Sequence, residues 1–291
     1  MSRVVHAAFV ALLLSMHWPA AVAAEITDDR GLRSQWAQPP QRIVSLLPSV
    51  TESVCALGAC DRLVGVDDWS NWPASVTKLP HLGGVADFSV ERVVGLKPDV
   101  VLLSSTARAL PRLQALGVPV LGLDIKTLAD VHRVSAIVGQ ALQVDGAPAL
   151  WQRIESGIAA SARSVPAAAR GTTVYFEISD GPYAASESSH IGELLQRLGA
   201  ANIVPGRLGS VPKLNPEFVV RADPQVVMIA ERDAPTLGSR PGWSRLRALR
   251  EGRVCAFTPA QGDTIVRPGP RLDAGARLLA DCLAGRLRRA P

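Results

Sequence analysis

The chain has 291 residues and a formal net charge of +5, with 47% hydrophobic but only 4% aromatic residues. That apolar share excludes a disordered chain, and the small, scattered basic excess lacks the stripe with aromatic or motif support that nucleic acids require. No stretch reaches about 18 uninterrupted apolar residues, which excludes a conventional transmembrane helix.

The first 24 residues read as a secretory signal peptide: Arg3, an apolar run from Ala7 to Met16, then Pro19 and small residues up to Ala24. Cleavage is expected before Glu25, with export to the periplasm, and the absence of cysteine at that point argues against a lipid anchor. Export makes the four cysteines candidates for disulfides. Cys55 and Cys60 are close in sequence, with Gly58 between them to turn the chain, and are expected to pair. Cys255 falls in a strand-like run and Cys282 in the last helix; they are either a second staple or two buried thiols. No Cys-x-x-Cys occurs and the histidines are scattered, so no metal site is expected.

Residues 25–41 are polar, end in Pro39-Pro40, and read as an extended, partly mobile lead-in. A first lobe is expected over 42–126. Arg42 to Leu47 reads as a strand, and Ser49-Val-Thr-Glu52 has capping-box spacing, which predicts that a helix starts there. Ser49 then lies at the carboxyl end of a strand, where open α/β sheets hold ligands. A second strand, 63–66, delivers Asp67-Asp-Trp-Ser-Asn-Trp-Pro73. Trp69, among polar residues, reads as a platform for a flat ligand, while Trp72 reads as loop core beneath Pro73. A helix at 89–96, a strand at 100–103, a helix at 107–116 and a strand at 118–123 complete a parallel α/β pattern.

Residues 127–170 are helical in pattern, with apolar stripes over 127–142 and again from 147. About 18 residues of helix span roughly 27 Å, enough to join one lobe to another. The second lobe, 171–291, opens with a strand at 172–178 and a long polar loop carrying Tyr183. A helix at 191–198, a helix-strand unit to Ala230, a helix at 243–249 and a strand at 254–257 follow. Residues 258–270, with Asp263 and Arg267, read as a loop before a final helix from Leu272.

The two lobes are related by an internal repeat. Phe88 to Leu103 returns as Leu214 to Ile229, with Glu91 on Glu217, Pro98 on Pro224, and Val100-Val101 on Val226-Val227. The spacing is too long for a solenoid, so two lobes with a cleft between them are expected, each with a small parallel sheet flanked by helices. One glutamate then stands near the start of the equivalent helix in each lobe.

With these residues in place, the chain resembles the periplasmic cobalamin-binding proteins of ABC importers. These belong to a wider group that also captures haem and iron siderophores through two lobes joined by one long helix. The resemblance covers nearly all of residues 42–284. It is carried by Arg42-Ile-Val-Ser-Leu-x-Pro-x-x-Thr-Glu52, Leu63-Val-Gly-Val66 with the aromatic loop to Pro73, Glu91-Arg-x-Val-x-x-Leu-Lys-Pro-Asp-x-Val101, and Glu217 in the second copy. It implies a monomeric binding protein with no cofactor of its own, no catalysis, and a corrinoid as transported ligand. It also implies that Glu91 and Glu217 dock onto arginines of the membrane permease. Trp69 would lie against the corrin, with Tyr183, Asp263 and Arg267 lining the cleft. Val85, Ser104 and Lys213 stand where family tryptophans are expected; Phe88 is a candidate to compensate for one, and Glu177 replaces an apolar ring.

Other ligands and roles remain open at the level of sequence. Haem binders of the group offer tyrosine or histidine to iron; here Tyr175 lies in a strand, and His81 and His190 read as surface or cap residues. Siderophore binders use several cleft cations, for which Arg207, Lys213 and Arg267 qualify. An exported metal-dependent enzyme would draw on Asp67, Asp68, Glu177, Asp180 and Asp263, but no nucleophile motif or phosphate loop accompanies them.

Overall fold

The computed structural model describes residues 24–287 apart from Asp180. The signal-peptide reading therefore falls outside the described residues, except at Ala24. The expected mobile lead-in is instead an antiparallel hairpin, β1 (Ala24–Thr27) with β2 (Arg33–Trp36). Polar composition concealed two anchors there. Ile26 is buried in the main core, and Asp28 accepts hydrogen bonds from the backbone of Arg30, Leu32 and Gly122.

The N-terminal lobe runs β3 (Ile43–Ser45), α1 (Pro48–Ala56), β4 (Leu63–Val66), α2 (Val90–Gly95), β5 (Val100–Ser104), α3 (Leu110–Ala115) and β6 (Val120–Leu123). Its four strands form a parallel sheet in the order β4-β3-β5-β6. Helix α1 begins one residue before the expected Ser49 cap, with Pro48 in its first turn and Leu47 as a cap residue whose side chain makes no capping bond. The Ser-x-x-Glu spacing is therefore not a capping box: Glu52 points its carboxylate at two arginines of the other lobe.

Two helices follow, α4 (Leu128–Leu142), capped by a true box between Thr127 and Asp130, and α5 (Ala147–Ser164). The C-terminal lobe then runs β7 (Thr173–Ser179), β8 (Tyr183–Ala184), α6 (His190–Arg197), β9 (Ala201–Asn202), α7 (Pro216–Ala222), β10 (Val226–Ala230), α8 (Arg247–Arg250), β11 (Val254–Phe257), α9 (Pro259–Val266) and α10 (Leu272–Leu283). The helix expected at 243–249 divides into a single 3-10 turn, Trp243–Arg245, and the short α8. The loop expected at 258–270 contains α9, opened by a capping box between Thr258 and Gln261 with Pro259 in its first turn.

Strands β9, β7, β10 and β11 are parallel neighbours in that order, which matches β4, β3, β5 and β6 of the first lobe position for position. Strand parity then sorts the core. Val100 and Leu102 face a large shared core, while Val101 and Leu103 face a second cluster within the N-terminal lobe. Val226 and Met228 join the same shared core, while Val227 and Ile229 face a third cluster around Trp243. Helices α4, α5 and α10 contribute Val134, Ile154, Ile158 and Leu279 to the shared core, so one apolar body runs from lobe to lobe through the connecting helices. Gly157 of α5 makes the close approach to α10 possible: a Cβ there would lie 2.5 Å from Cβ of Asp273. Two disulfides, Cys55–Cys60 and Cys255–Cys282, are both formed, the second stapling β11 to α10.

Candidate functional site

The carboxyl ends of the two sheets border adjoining depressions. One, of about 270 Å³, lies between Leu47, Ser49, Ser104 and Asp124 of the first lobe and Val266 and Arg267 of the second. The other, of about 380 Å³, lies against Ile178, Ala230, Phe257, Asp263 and Val266. Val266 belongs to both, so α9 forms a shared wall. This is where strand polarity puts a ligand in an α/β sheet.

Trp69 stands on the loop that leaves β4 and is 65% exposed, high for a tryptophan in a chain so poor in aromatics. Its loop is tied down on two sides. Asp67, buried in its own lobe, accepts the Trp69 N–H at 2.8 Å and the Ser70 hydroxyl at 2.6 Å. Burial pushes the Asp67 carboxyl above its ordinary value, against the pull of those hydrogen bonds. From the other lobe, Arg267 donates to the Trp69 carbonyl at 2.9 Å. Trp72 was expected as loop core; it is 51% exposed, and the Arg271 guanidinium lies 5.1 Å from its ring centre. The ring instead lines a surface depression with Cys55, Ala56 and Pro270, under the Arg271 cation.

Arg267 and Arg271 converge on Glu52, whose side chain is 1% exposed. Arg271 grips it with two parallel bonds, Nε to Oε2 at 2.8 Å and Nη2 to Oε1 at 2.6 Å, while Arg267 adds Nη1 to Oε1 at 3.0 Å. Arg267 also donates to Asn71 Oδ1 at 2.8 Å and pairs with Asp263 at 2.7 Å, and the Asn71 amide closes the ring by donating to Asp263 at 2.9 Å. Two carboxylates and two guanidinium groups balance in charge, which is how so buried a glutamate is tolerated. Sequence reading missed Glu52, Asn71 and Arg271; the one signal was the pair of arginines flanking Pro268-Gly269-Pro270, which gives no hint of a partner 215 residues away. Gly269 lets this segment press on the first lobe, since a Cβ there would meet the Ser49 carbonyl at 3.1 Å.

The remaining candidates are distributed as follows. Tyr183, 39% exposed, lies on β8 opposite Ser179, with the Lys213 ammonium 5.9 Å from its ring centre. Ser49 and Ser104 border the first depression and Asp263 the second. Phe88 is not at the cleft: its ring is buried in the N-terminal lobe with Val44, Leu82 and Val93, because the Gly83 turn folds the chain inward there. Glu177 is buried too, gripped by Arg240 through two bonds of 2.7 and 2.8 Å and by the Tyr175 hydroxyl at 2.9 Å. Burial and the Glu177 charge raise the Tyr175 pKa, so its hydroxyl remains a donor. At 3% exposure and committed to Arg240 and Tyr175, this carboxylate is turned into its own lobe and away from the cleft.

His190, expected at the surface or as a cap, is buried: its backbone N–H donates to the Lys126 carbonyl at 2.7 Å and its ring Nε2 lies 3.0 Å from the Ile265 carbonyl. Only a protonated Nε2 can donate to that oxygen, and burial lowers the pKa to about 4, so the ring is neutral with its proton on Nε2. Among the described residues, no three His, Cys, Asp or Glu side chains gather as metal ligands; Asp180 lies outside them.

Glu91 and Glu217 are both exposed, each in the first turn of a short helix, α2 and α7, capped by Ser89 and Asn215. Glu91 pairs with Arg112 at 2.7 Å, and its own backbone N–H together with that arginine hold its carboxyl below the usual value. Glu217 has no ion pair among the described residues.

Residues 43–260 match the periplasmic binding protein family. The chain belongs to that family. It is 29% identical over 259 residues to an uncharacterized ABC transporter substrate-binding lipoprotein of Bacillus subtilis strain 168, covering 84% of this chain and 80% of the relative. It is 26% identical over 254 residues to a vitamin B12-binding protein of Pectobacterium atrosepticum, covering 84% and 89%. Among solved structures, a periplasmic haem-binding protein from Pseudomonas aeruginosa superposes with a TM-score of 0.74 at 27% identity, covering 87% of this chain and 95% of that one. The chain is thus a two-lobed periplasmic binding protein, with relatives and structural neighbours that include vitamin B12-binding and haem-binding proteins. Among the described residues no helix is long and apolar enough to cross a membrane.

Proposed function

We propose that this protein captures a corrinoid in the cleft between its lobes and delivers it to the permease of an ABC importer in the periplasm. The observation that carries the reading is Trp69: an exposed indole on a loop fixed from both lobes, at the carboxyl edge of the sheets. A flat, largely apolar macrocycle with an amide rim suits such a platform with scattered polar neighbours. The vitamin B12-binding relative supports the same ligand. Glu91 and Glu217 serve as the docking pair. Two carboxylates held at a fixed spacing by a continuous core form a bivalent address that fixes orientation as well as affinity. The role is binding without chemistry.

Haem is the second reading, favoured by the haem-binding structural neighbour and by the partial exposure of Tyr183, whose phenol is the one tyrosine oxygen outside the buried C-lobe network. Titration of the mature protein with cyanocobalamin, followed by tryptophan emission, tests the first reading. Saturable quenching at one ligand per chain, lost or weakened in Trp69→Ala, supports it; emission unmoved by the corrinoid overturns it.

A further inference from the structure

We infer that Arg267 is a positioning residue: it clamps the Trp69 loop of one lobe from the other. The inference rests on the reading of Trp69 as the ligand platform.

The donor count leads to it. Arg267 carries four terminal N–H bonds, and the two nitrogens that bear them face four acceptors: Glu52 and Asn71 at Nη1, the Trp69 carbonyl and Asp263 at Nη2. The side chain is 9% exposed although it borders the cleft. Turning either terminal nitrogen away from these acceptors would break contacts in a site already balanced in charge, which is costly, so the pose of the guanidinium over the Trp69 carbonyl is held. The bond to the Trp69 carbonyl has the more useful consequence. With the Trp69 N–H held by Asp67 on one side and its carbonyl held by Arg267 on the other, both peptide planes flanking this residue are fixed, and with them the direction in which the indole leaves the backbone.

The two anchors come from different lobes. Asp67 belongs to the first, and Arg267 sits at the end of α9 in the second, so the orientation of the platform depends on the lobes keeping their relation. Asn71 makes the link cooperative, since its amide accepts from Arg267 and donates to Asp263 while its own backbone lies two residues beyond Trp69. The clamp therefore converts the stiffness of the shared core into a preset aromatic surface, lowering the ordering cost that a mobile loop would add to binding.

A double-mutant cycle on the mature protein with cyanocobalamin as probe separates this from an ordinary interlobe ion pair. Arg267→Met, in which Arg271 still neutralises Glu52, is expected to weaken binding about tenfold when Trp69 is present and less than about twofold in the Trp69→Ala background, because an effect routed through Trp69 vanishes with it. Asn71→Ala, at an exposed position where a truncation is expected to be tolerated, is expected to show the same dependence with a loss of about threefold. Equal losses in both backgrounds for Arg267→Met and Asn71→Ala overturn the inference and return Arg267 to direct ligand contact or to a purely structural role. If Arg267→Met does not fold, the Asn71→Ala cycle decides alone. A Trp69→Ala protein that binds as tightly as the parent overturns the platform reading, and this inference with it.

Discussion

Lys97 and Asp223 occupy the same place in the two copies of one unit, and both adopt a left-handed backbone, with φ of 47° and 41°. Each is followed by a proline, Pro98 or Pro224, and each turns a short helix into a strand at the centre of its sheet. Non-glycine residues rarely hold this conformation, so its occurrence at matched positions marks a turn whose geometry is kept in both lobes. Asp99 and Gln225 complete the match, each accepting a backbone N–H at the start of the neighbouring strand, from Arg42 and Thr173. The consequence is that α2 and α7 start alike, and Glu91 and Glu217 stand in equivalent first turns.

Reversing both charges, Glu91→Lys with Glu217→Lys, is therefore expected to leave the melting temperature and corrinoid affinity unchanged and to abolish uptake. Both side chains lie on the surface, away from the cleft wall, and like charges would then face each other across the permease interface. Uptake of labelled corrinoid by cells carrying only the double variant is the measurement. A wild-type rate would remove the docking role.

Glu52→Gln is expected to be the most damaging single change at the lobe junction. It leaves Arg267 and Arg271 facing a neutral amide inside the protein, and breaking a buried charge pair from one side costs about 3–5 kcal/mol. Urea denaturation of the variant against the parent measures it; a loss below about 1 kcal/mol would mean that the cluster is far better solvated than its burial implies.

How much of this was legible beforehand follows from what each residue touches. The strands and the paired glutamates were visible because the repeat is local, a helix, a proline turn and a β-branched run, and local pattern is what sequence carries. The N-terminal hairpin was not, because Asp28 and Ile26 are held by the edge of β6 and by the core, both distant in sequence. Trp69 stood out by its polar surroundings. Glu52 was hidden by the opposite effect: Ser49-Val-Thr-Glu52 has a spacing with a good local explanation, and the true partners come from the far end of the chain. Glu177 and Phe88 were misplaced because a family position does not reveal whether a side chain is satisfied within its own lobe, as Glu177 is by Arg240.

His190 gives the protein a specific acid response. Unfolded, the imidazole takes a proton near pH 6.5; folded, it resists until about pH 4. The unfolded state thus binds more protons throughout that window, so stability falls as pH drops from about 6.5 to 4, by up to roughly 3 kcal/mol from this group. His190→Gln, which retains a donor for the Ile265 carbonyl, is expected to flatten the slope in this window. Chemical denaturation at a series of pH values checks it, and parallel slopes in the two proteins would contradict the assignment.

The two disulfides should contribute unequally. Cys255–Cys282 closes a loop with a sequence separation of 27, against 5 for Cys55–Cys60. Chain entropy then gives the longer bridge about 3–4 kcal/mol and the shorter roughly 2. Paired Cys→Ser variants measured by thermal unfolding should rank in that order; the reverse order would mean that native-state packing, not loop closure, sets their value.

Which macrocycle the cleft receives is tested most directly by a side-by-side titration of the purified mature protein with cyanocobalamin and haemin, followed by absorbance and tryptophan emission. Saturable quenching by cyanocobalamin is expected at one site per chain, weakened by roughly 1–3 kcal/mol in Trp69→Ala, with no defined change in the haemin Soret band. A sharp Soret shift on adding haemin, with emission unmoved by the corrinoid, would contradict the corrinoid reading.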